Sequence, residues 1–282
     1  MYHQPVLLKE ILSSIPQHAQ TVVDGTFGHG WHSIAIAEHL PQVKIIGIDR
    51  DATMIAKAQE RIWENEKIDI IQGSYADIDS LIDWVDYILL DIGVNMDHFK
   101  DWSRGFSIHD DATLDMRFDR TQKKSAQDVI NTYSSNDLSA LFQKYADFTT
   151  TKADELSFAI TKYRSHTKIE TTSQLKEVLW YCGLGKNAIA VIFQAIRIEV
   201  NQELKQLEQF LEVFDKVLAP WWRCAVISYH SIEDRIVKQS FKSRVESGKY
   251  IAIHKKAIKA SRQEVQKNRA ARSAVLRIIE KK

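Results

Sequence analysis

The sequence predicts an α/β protein: a doubly wound, mostly parallel sheet carrying an inserted helical domain. Three observations predict it. Four short runs rich in Val, Ile and Leu occur before residue 92, interleaved with helical patterns in the cadence of βαβ units. The alternation then stops for about 130 residues, of which 125–218 read as helix. After residue 223 a strand, a helix and a last strand resume.

Val6 to Ile15 reads as a short helix that Pro16 ends, because proline lacks the N–H a helix interior needs. Thr21-Val-Val-Asp24 is a brief β-branched run. Gly25-Thr-Phe-Gly28-His-Gly30 follows it as a glycine turn from strand into helix. Helices are expected over Ser33 to Leu40 and over Asp51 to Trp63, flanking a second strand, Lys44-Ile-Ile-Gly-Ile-Asp49. Ile68-Asp-Ile-Ile71 and Val85-Asp-Tyr-Ile-Leu-Leu-Asp91 are the third and fourth strands. The clearest helical pattern is the last one. Ile192, Ile196, Val200, Leu204, Leu207, Leu211, Phe214 and Leu218 recur every three or four residues as one apolar stripe. Cys224-Ala-Val-Ile-Ser228 is then a strand, Ile232 to Val245 a helix, and Ser273-Ala-Val-Leu-Arg-Ile-Ile279 the final strand. The domain boundaries read as 1–102 with 203–282 for the sheet domain, and 103–202 for the insertion.

Composition narrows the class. With 282 residues, 44% hydrophobic and 27% charged, an ordinary packed core is expected rather than disorder. The first ten residues show no basic stretch followed by a long apolar one, so no secretory signal is expected. No apolar run is long enough to cross a bilayer. Cys182 and Cys224 stand far apart without metal-type spacing and read as two buried thiols, which points to the cytoplasm and to no bound metal. The net charge of +1 hides a strong asymmetry: residues 238–282 hold 14 Lys/Arg against 3 Asp/Glu. Such a field suits a polyanionic partner, because phosphate contacts depend on local charge, and equally a solvated basic tail.

In doubly wound sheets, ligands sit at the carboxyl ends of the strands where strand order reverses. Here the first such turn is Asp24-Gly-Thr-Phe-Gly28-His-Gly30, where Gly28 and Gly30 let the backbone approach a ligand and the next helix offers free N–H groups. Ser33 stands where the G-x-G-x-x-G pattern of nicotinamide enzymes has its third glycine, which disfavours that class. Asp49 ends the second strand and can accept hydrogen bonds from the hydroxyls of an adenosine ribose; Asp51 suits the competing duty of helix cap. Tyr75 can pack on an adenine face, and Asp91 closes an apolar run at the mouth of the fourth strand. These positions describe an adenosine-containing cofactor without choosing between NAD and S-adenosylmethionine.

At this point the chain resembles the ribosomal RNA small-subunit cytosine-N4 methyltransferases, the MraW family. The resemblance runs in order along nearly the whole chain. It includes His3-Gln-Pro-Val-Leu-Leu-Lys-Glu10, Asp24-Gly-Thr-Phe-Gly28, Ile48-Asp-Arg-Asp51, Leu89-Leu-Asp-Ile-Gly-Val94, Arg104-Gly-Phe-Ser107 and Leu114-Asp-Met-Arg117. It closes with Phe193-Gln-Ala-Ile-Arg-Ile198, Asn201-Gln-Glu-Leu204, Ser228-Tyr-His-Ser-Ile-Glu-Asp-Arg-Ile-Val-Lys238 and Asn268-Arg-Ala-Ala-Arg-Ser-Ala274. It implies a Rossmann-like class I methyltransferase sheet with a helical insertion and S-adenosylmethionine as cofactor. The implied target is a cytidine of 16S ribosomal RNA, or of the small subunit, near the decoding centre. Carried over by position, cofactor contacts fall on Gly30, Trp31, His32, Asp49, Tyr75, Asp91 and His98. Trp31 replaces a family glycine, His98 a glutamine, and Trp221-Trp222 a Gly-Gly turn.

Cytosine N4 is a poor nucleophile, so acceptors for its amine protons are expected at the strand ends. Asp91 and Asn95 follow the fourth strand, and His230, Glu233 and Asp234 follow the fifth; His230 is expected to position the base or take a proton. Ser231 with Glu233 or Asp234 reads equally as a helix start, and Asp234 with Arg235 as a surface ion pair. Arg104, Phe106 and Arg117 are expected to close over a flipped base, with Phe106 stacking on it. Gln194, Arg197 and Asn201 flank the apolar stripe as RNA contacts, and Arg269 and Arg272 are phosphate contacts. No membrane partner is expected, and a homodimer is left open. Two alternatives stand beside this reading: a methyltransferase of the same fold with another acceptor, and a non-catalytic RNA-binding assembly factor.

Overall fold

The computed structural model describes residues 5–62, 65–94 and 96–282. Residues 1–4 (with His3 and Gln4 of the first motif), Trp63 at the expected end of the third helix, and Asn95 lie outside them. The chain forms two compact units, Met1–Gly93 with Leu204–Lys282, and Val94–Glu203. The first crossing falls at Gly93/Val94, earlier than the expected 102/103.

The first unit runs α1 (Leu8–Ser14), β1 (Thr21–Asp24), α2 (Trp31–His39), β2 (Lys44–Asp49), α3 (Ala52–Ile62), β3 (Ile68–Gln72), α4 (Ile78–Leu81) and β4 (Val85–Asp91). The second holds α5 (Met96–Lys100), α6 (Ala126–Thr132), α7 (Ser135–Ala146), α8 (Thr150–Arg164), α9 (Thr172–Tyr181) and α10 (Lys186–Asn201). The chain then returns through α11 (Glu203–Val217), β5 (Leu218–Ser228), α12 (Ser231–Glu246), β6 (Tyr250–Ala252), β7 (Ile258–Lys259), α13 (Arg262–Lys267) and β8 (Val275–Lys281).

The sheet has the order β3-β2-β1-β4-β5-β8-β6, with β7 also on β8. The first five strands pair parallel, and β8 lies antiparallel to β5, β6 and β7. The chain steps outward from β1 to β3 and returns on the other side of β1 at β4, so strand order reverses between β1 and β4. That crevice is where a doubly wound sheet receives its ligand. Alternate strand residues feed two apolar clusters: Val22, Ile45, Leu89 and Ala225 pack on one face, Val23, Ile48, Ile88, Leu90 and Val226 on the other. With both faces covered, the strands read as continuous apolar runs, and a polar side chain first becomes tolerable where the strand ends.

The second unit has its own core, built on Leu138, Phe142, Leu156, Ile160, Leu175, Ile192 and Ile196. Its helices begin where side chains satisfy orphan N–H groups: Ser125 with Asp128, Ser134 with Asp137 and Thr171 with Gln174 form reciprocal capping boxes.

Three expectations are corrected. The apolar stripe from Ile192 to Leu218 is two helices, because Gln202 adopts a left-handed φ of 51° between α10 and α11. Val200 and Leu204 keep a spacing of four across that break, so periodicity passes through it unmarked. The fifth strand starts six residues before Cys224, and its pairing with β4 is irregular opposite Val85 and Tyr87, where Trp221 takes φ 70°. Strands β6 and β7 add to the sheet beyond the six that the sequence predicts. Among the described residues, no helix is long and apolar enough to cross a membrane.

Candidate active site

Four strand ends of the first unit converge on one constellation. After β1, Gly28 and Gly30 take φ of +52° and +72°, a region that costs any other residue about 1–2 kcal/mol. A Cβ on Gly30 would stand 2.7 Å from Phe27 Cζ, so this turn admits only glycine. The Gly28 N–H donates to Asp49 Oδ2 at 2.6 Å, and the Asp51 N–H to Asp49 Oδ1 at 2.9 Å. The Asp49 carboxylate is thereby oriented at the mouth of β2. Asp51 is the cap of α3, accepting from the Thr53 and Met54 N–H groups at 2.9 and 3.4 Å. The duty that competed for Asp49 therefore falls to its neighbour.

A second row of polar groups joins the ends of β1, β4 and β5. Buried Asp24 accepts from the Ser33 hydroxyl at 2.7 Å. Burial pushes its carboxyl up to about 6, partly offset by His32 and by its hydrogen bonds. His32 Nε2 lies 3.0 Å from the Val6 carbonyl, and Nδ1 lies 3.7 Å from Asp91 Oδ2. The Tyr229 hydroxyl donates to Asp91 Oδ1 at 2.8 Å, and the Asp91 N–H donates to Thr26 Oγ1 at 2.6 Å. Burial, reinforced by the Asp91 carboxylate, holds the Tyr229 phenol far above its usual range, so it remains a donor at physiological pH.

His230 is placed differently from expectation. It is itself the cap of α12: Nδ1 accepts from the Glu233 N–H at 3.4 Å, while buried Glu233 accepts from the Tyr229 and His230 N–H groups at 2.9 and 3.3 Å. His230 Nε2 stands 2.7 Å from Glu233 Oε1, outside the angular range of a hydrogen bond. Ser231 is the first helical residue rather than the cap. Asp234 does not pair with Arg235; Arg277 of β8 grips it bidentately at 2.7 and 3.0 Å.

Trp31 opens α2, and its indole is stacked by the Arg61 guanidinium of α3 at 4.0 Å. Tyr75 is 9% exposed and meets Phe210 edge-on, with ring centroids 5.9 Å apart. Trp222 packs on His18 at 4.8 Å while Trp221 stays exposed.

In the second unit, most of the nominated polar residues hold backbone. Arg104 is 1% exposed and donates to the carbonyls of Arg117 and Phe118 at 2.6 and 2.9 Å. Arg117 grips Asp115 at 2.6 and 3.2 Å and donates to the Gln122 carbonyl at 2.7 Å. Asn201, fully buried, accepts from the Phe118 N–H and donates to the Met116 carbonyl, each at 2.8 Å. Arg197 pairs bidentately with Glu203 at 2.8 and 3.0 Å. His98 packs against the stacked rings of Phe106 and Phe118, at 5.1 and 5.0 Å. Phe106, Met116, Phe193, Gln194 and Arg197 line a cavity of about 240 Å³, below the ~300–1,000 Å³ of drug-sized ligand sites. Back in the first unit, Arg269 and Arg272 are exposed on a 3₁₀ turn, Arg269–Ser273.

Sequence reasoning missed Thr26 and Tyr229 as partners of Asp91, and Asp24 as a buried titrating group. Tyr229 sits inside the Ser228–Lys238 motif next to His230, whose titratable ring is the stronger signal in a sequence. A strand-terminal aspartate before a glycine turn was the available signal for Asp24.

The model of the MraW methylase family matches residues 1–282. A protein of a Nitratiruptor species named ribosomal RNA small subunit methyltransferase H is 38% identical over 302 residues, covering 99% of this chain and 98% of its own length. One of the same name from Brachyspira hyodysenteriae is 35% identical over 294 residues, covering 99% and 96%. Among solved structures, an rRNA methylase from Streptococcus thermophilus covers 100% of this chain and 98% of its own at 11% identity and a TM-score of 0.43, a likeness that carries no functional argument. By the full-length match and those relatives, this chain belongs to the MraW methylase family, methyltransferases that take S-adenosylmethionine as methyl donor.

Proposed function

We propose that this protein methylates the exocyclic N4 amine of a cytidine in small-subunit (16S) ribosomal RNA, near the decoding centre, in the cytoplasm. The observation that carries the reading is the row of oriented carboxylates at the ends of β1, β2 and β4, closed by the Tyr229 turn after β5, in a chain whose relatives are named for small-subunit rRNA methylation.

The residues fit the cofactor. At Gly30 a Cβ would strike the Phe27 ring, which keeps the turn glycine and its backbone open to a ligand, and α2 begins there with N–H groups that suit a carboxylate. Asp49, oriented by two amides, takes the ribose hydroxyls, and Tyr75 supports the adenine. When bound, the cofactor supplies a methyl group on a sulfonium, which already has a good leaving group. Positioning is then the main task left to the protein.

Asp91 accepts a hydrogen bond from the N4 amine and takes the proton that methylation releases; Asn95 is placed beside it by sequence alone. Tyr229 fixes the Asp91 carboxylate by donating to Oδ1. His230 and Glu233 shape the turn that carries Tyr229, so their contribution is positioning. In the second unit, Phe106, Gln194 and the cavity they line are assigned to substrate recognition, with Arg104, Arg117, Arg197 and Asn201 holding the loop around it.

Mass spectrometry of small-subunit rRNA nucleosides from a deletion strain tests this. N4-methylcytidine should disappear and return on complementation with the wild-type chain. An unchanged level would overturn the assignment.

A further inference from the structure

Helix α12 leaves the strand-end site immediately after His230, and its exposed charges are basic until Glu246 in its last turn. Glu233, Val237 and Phe241 are its buried residues. At 100° per residue, Arg235, Lys238 and Lys242 fall within an arc of roughly 60° on the opposite side, over a ridge about 10 Å long. All three are exposed. The acidic residues of the helix leave this ridge largely uncompensated. Glu233 is buried in the cap, Asp234 is gripped by Arg277, and Glu246 lies 3.5 Å from Lys242 at the far end. Among the described residues, Arg235 and Lys238 form no ion pair.

A second set of cations approaches the same strand end. Val275, the first residue of β8, pairs with Ser228, the last residue of β5. The turn Arg269–Ser273 therefore ends beside the segment from which α12 starts. Its only acidic neighbour between residues 247 and 279 is Glu264, whose carboxylate accepts the Leu7 N–H at 2.7 Å. Arg269 and Arg272 thus lie a few residues before Val275, the strand partner of Ser228, and Arg235 and Lys238 a few residues after Ser228 itself. A solvated amphipathic helix ordinarily mixes both signs on its outer face; this one does so only at its far end.

We propose that Arg235 and Lys238 of α12, with Arg269 and Arg272, form a phosphate track that holds the single-stranded RNA flanking the target nucleotide. Phosphate contacts of this kind set register without reading sequence. The proposal rests on the RNA-methylation reading above and adds α12 as the surface that carries the strand.

The test is the salt dependence of binding to a fluorescein-labelled single-stranded RNA of small-subunit sequence. It compares the wild-type chain, R235A/K238A, and K205E, which changes an exposed lysine on α11 outside the track. Each lost single-strand phosphate contact lowers the slope of log K against log salt by about 0.7, so the double variant should lose about 1.4 in slope and bind roughly tenfold more weakly near physiological salt. Calorimetric affinity for S-adenosylhomocysteine should match wild type, which also reports an intact fold, and K205E should bind RNA as wild type does. Wild-type slope and affinity in the double variant, or an equal loss in K205E, would overturn the track. If the slope falls as expected but deletion leaves N4-methylcytidine unchanged, the track stands and the reaction assigned above falls.

Discussion

The two units treat their polar residues in opposite ways. In the first, the carboxylates nominated from sequence stand at the ends of buried strands, oriented by amides and hydroxyls: Asp49 by Gly28 and Asp51, Asp91 by Tyr229. In the second, Arg104, Arg117, Arg197 and Asn201 are committed to carbonyls, an amide and carboxylates of their own unit. A strand inside a sheet has its backbone satisfied by its neighbours, so a polar side chain at its end is available for a ligand. An irregular loop such as residues 105–124 does not, and buried carbonyls there need side-chain donors. The same residue type therefore means different things in the two settings.

The largest expected effect lies at the strand ends. Asp91→Asn should lower kcat for methyl transfer by about 10³-fold while the unfolding midpoint in urea stays near that of wild type. A loss of fold instead of rate would make Asp91 a structural residue like those of the second unit. The converse experiment is Arg104→Ala, which strands the carbonyls of Arg117 and Phe118 and should cost about 3 kcal/mol in urea unfolding. Unchanged stability with weakened RNA binding would return Arg104 to the substrate contacts.

Asp24 mixes the two behaviours, being buried yet part of the site. Its folded-state value of about 6 lies above its ordinary 3.8, so the native state holds that proton more tightly than the unfolded chain. Stability from this group is therefore present below pH 4 and lost as pH rises through 6. Asp24→Asn removes the titration, and the variant should gain on wild type by up to roughly 3 kcal/mol between pH 4 and pH 7. Parallel stability curves across that range would contradict the raised value. The smallest effect is at Trp221, whose φ of 70° favours glycine. Trp221→Gly should raise stability by up to about 1 kcal/mol, read as a higher urea midpoint.

These contrasts explain what could be read in advance. The strands at 21–24, 44–49 and 85–91 were legible because both faces are covered, leaving unbroken apolar runs bounded by turn residues. The Asp51 cap was legible for a similar reason, because a short acceptor just before a helix has one common use. The break at Gln202 was not, since a single left-handed residue leaves the apolar period intact. Nor were β6 and β7, which are three and two residues long and half-exposed at a sheet edge. At the site, what sequence could not supply was partnership. Nothing in the order of residues says that the His230 ring faces Glu233 or that the Tyr229 hydroxyl reaches Asp91 across 138 residues.

The strand-end carboxylates are the centre of the functional reading, and calorimetric titration with S-adenosylhomocysteine addresses them. Saturable one-to-one binding is expected for the wild-type chain and for Trp221→Gly, with affinity reduced at least a hundredfold, about 2.7 kcal/mol, in Asp49→Ala. No binding by the wild-type chain at millimolar ligand, or equal binding by Asp49→Ala, would contradict it.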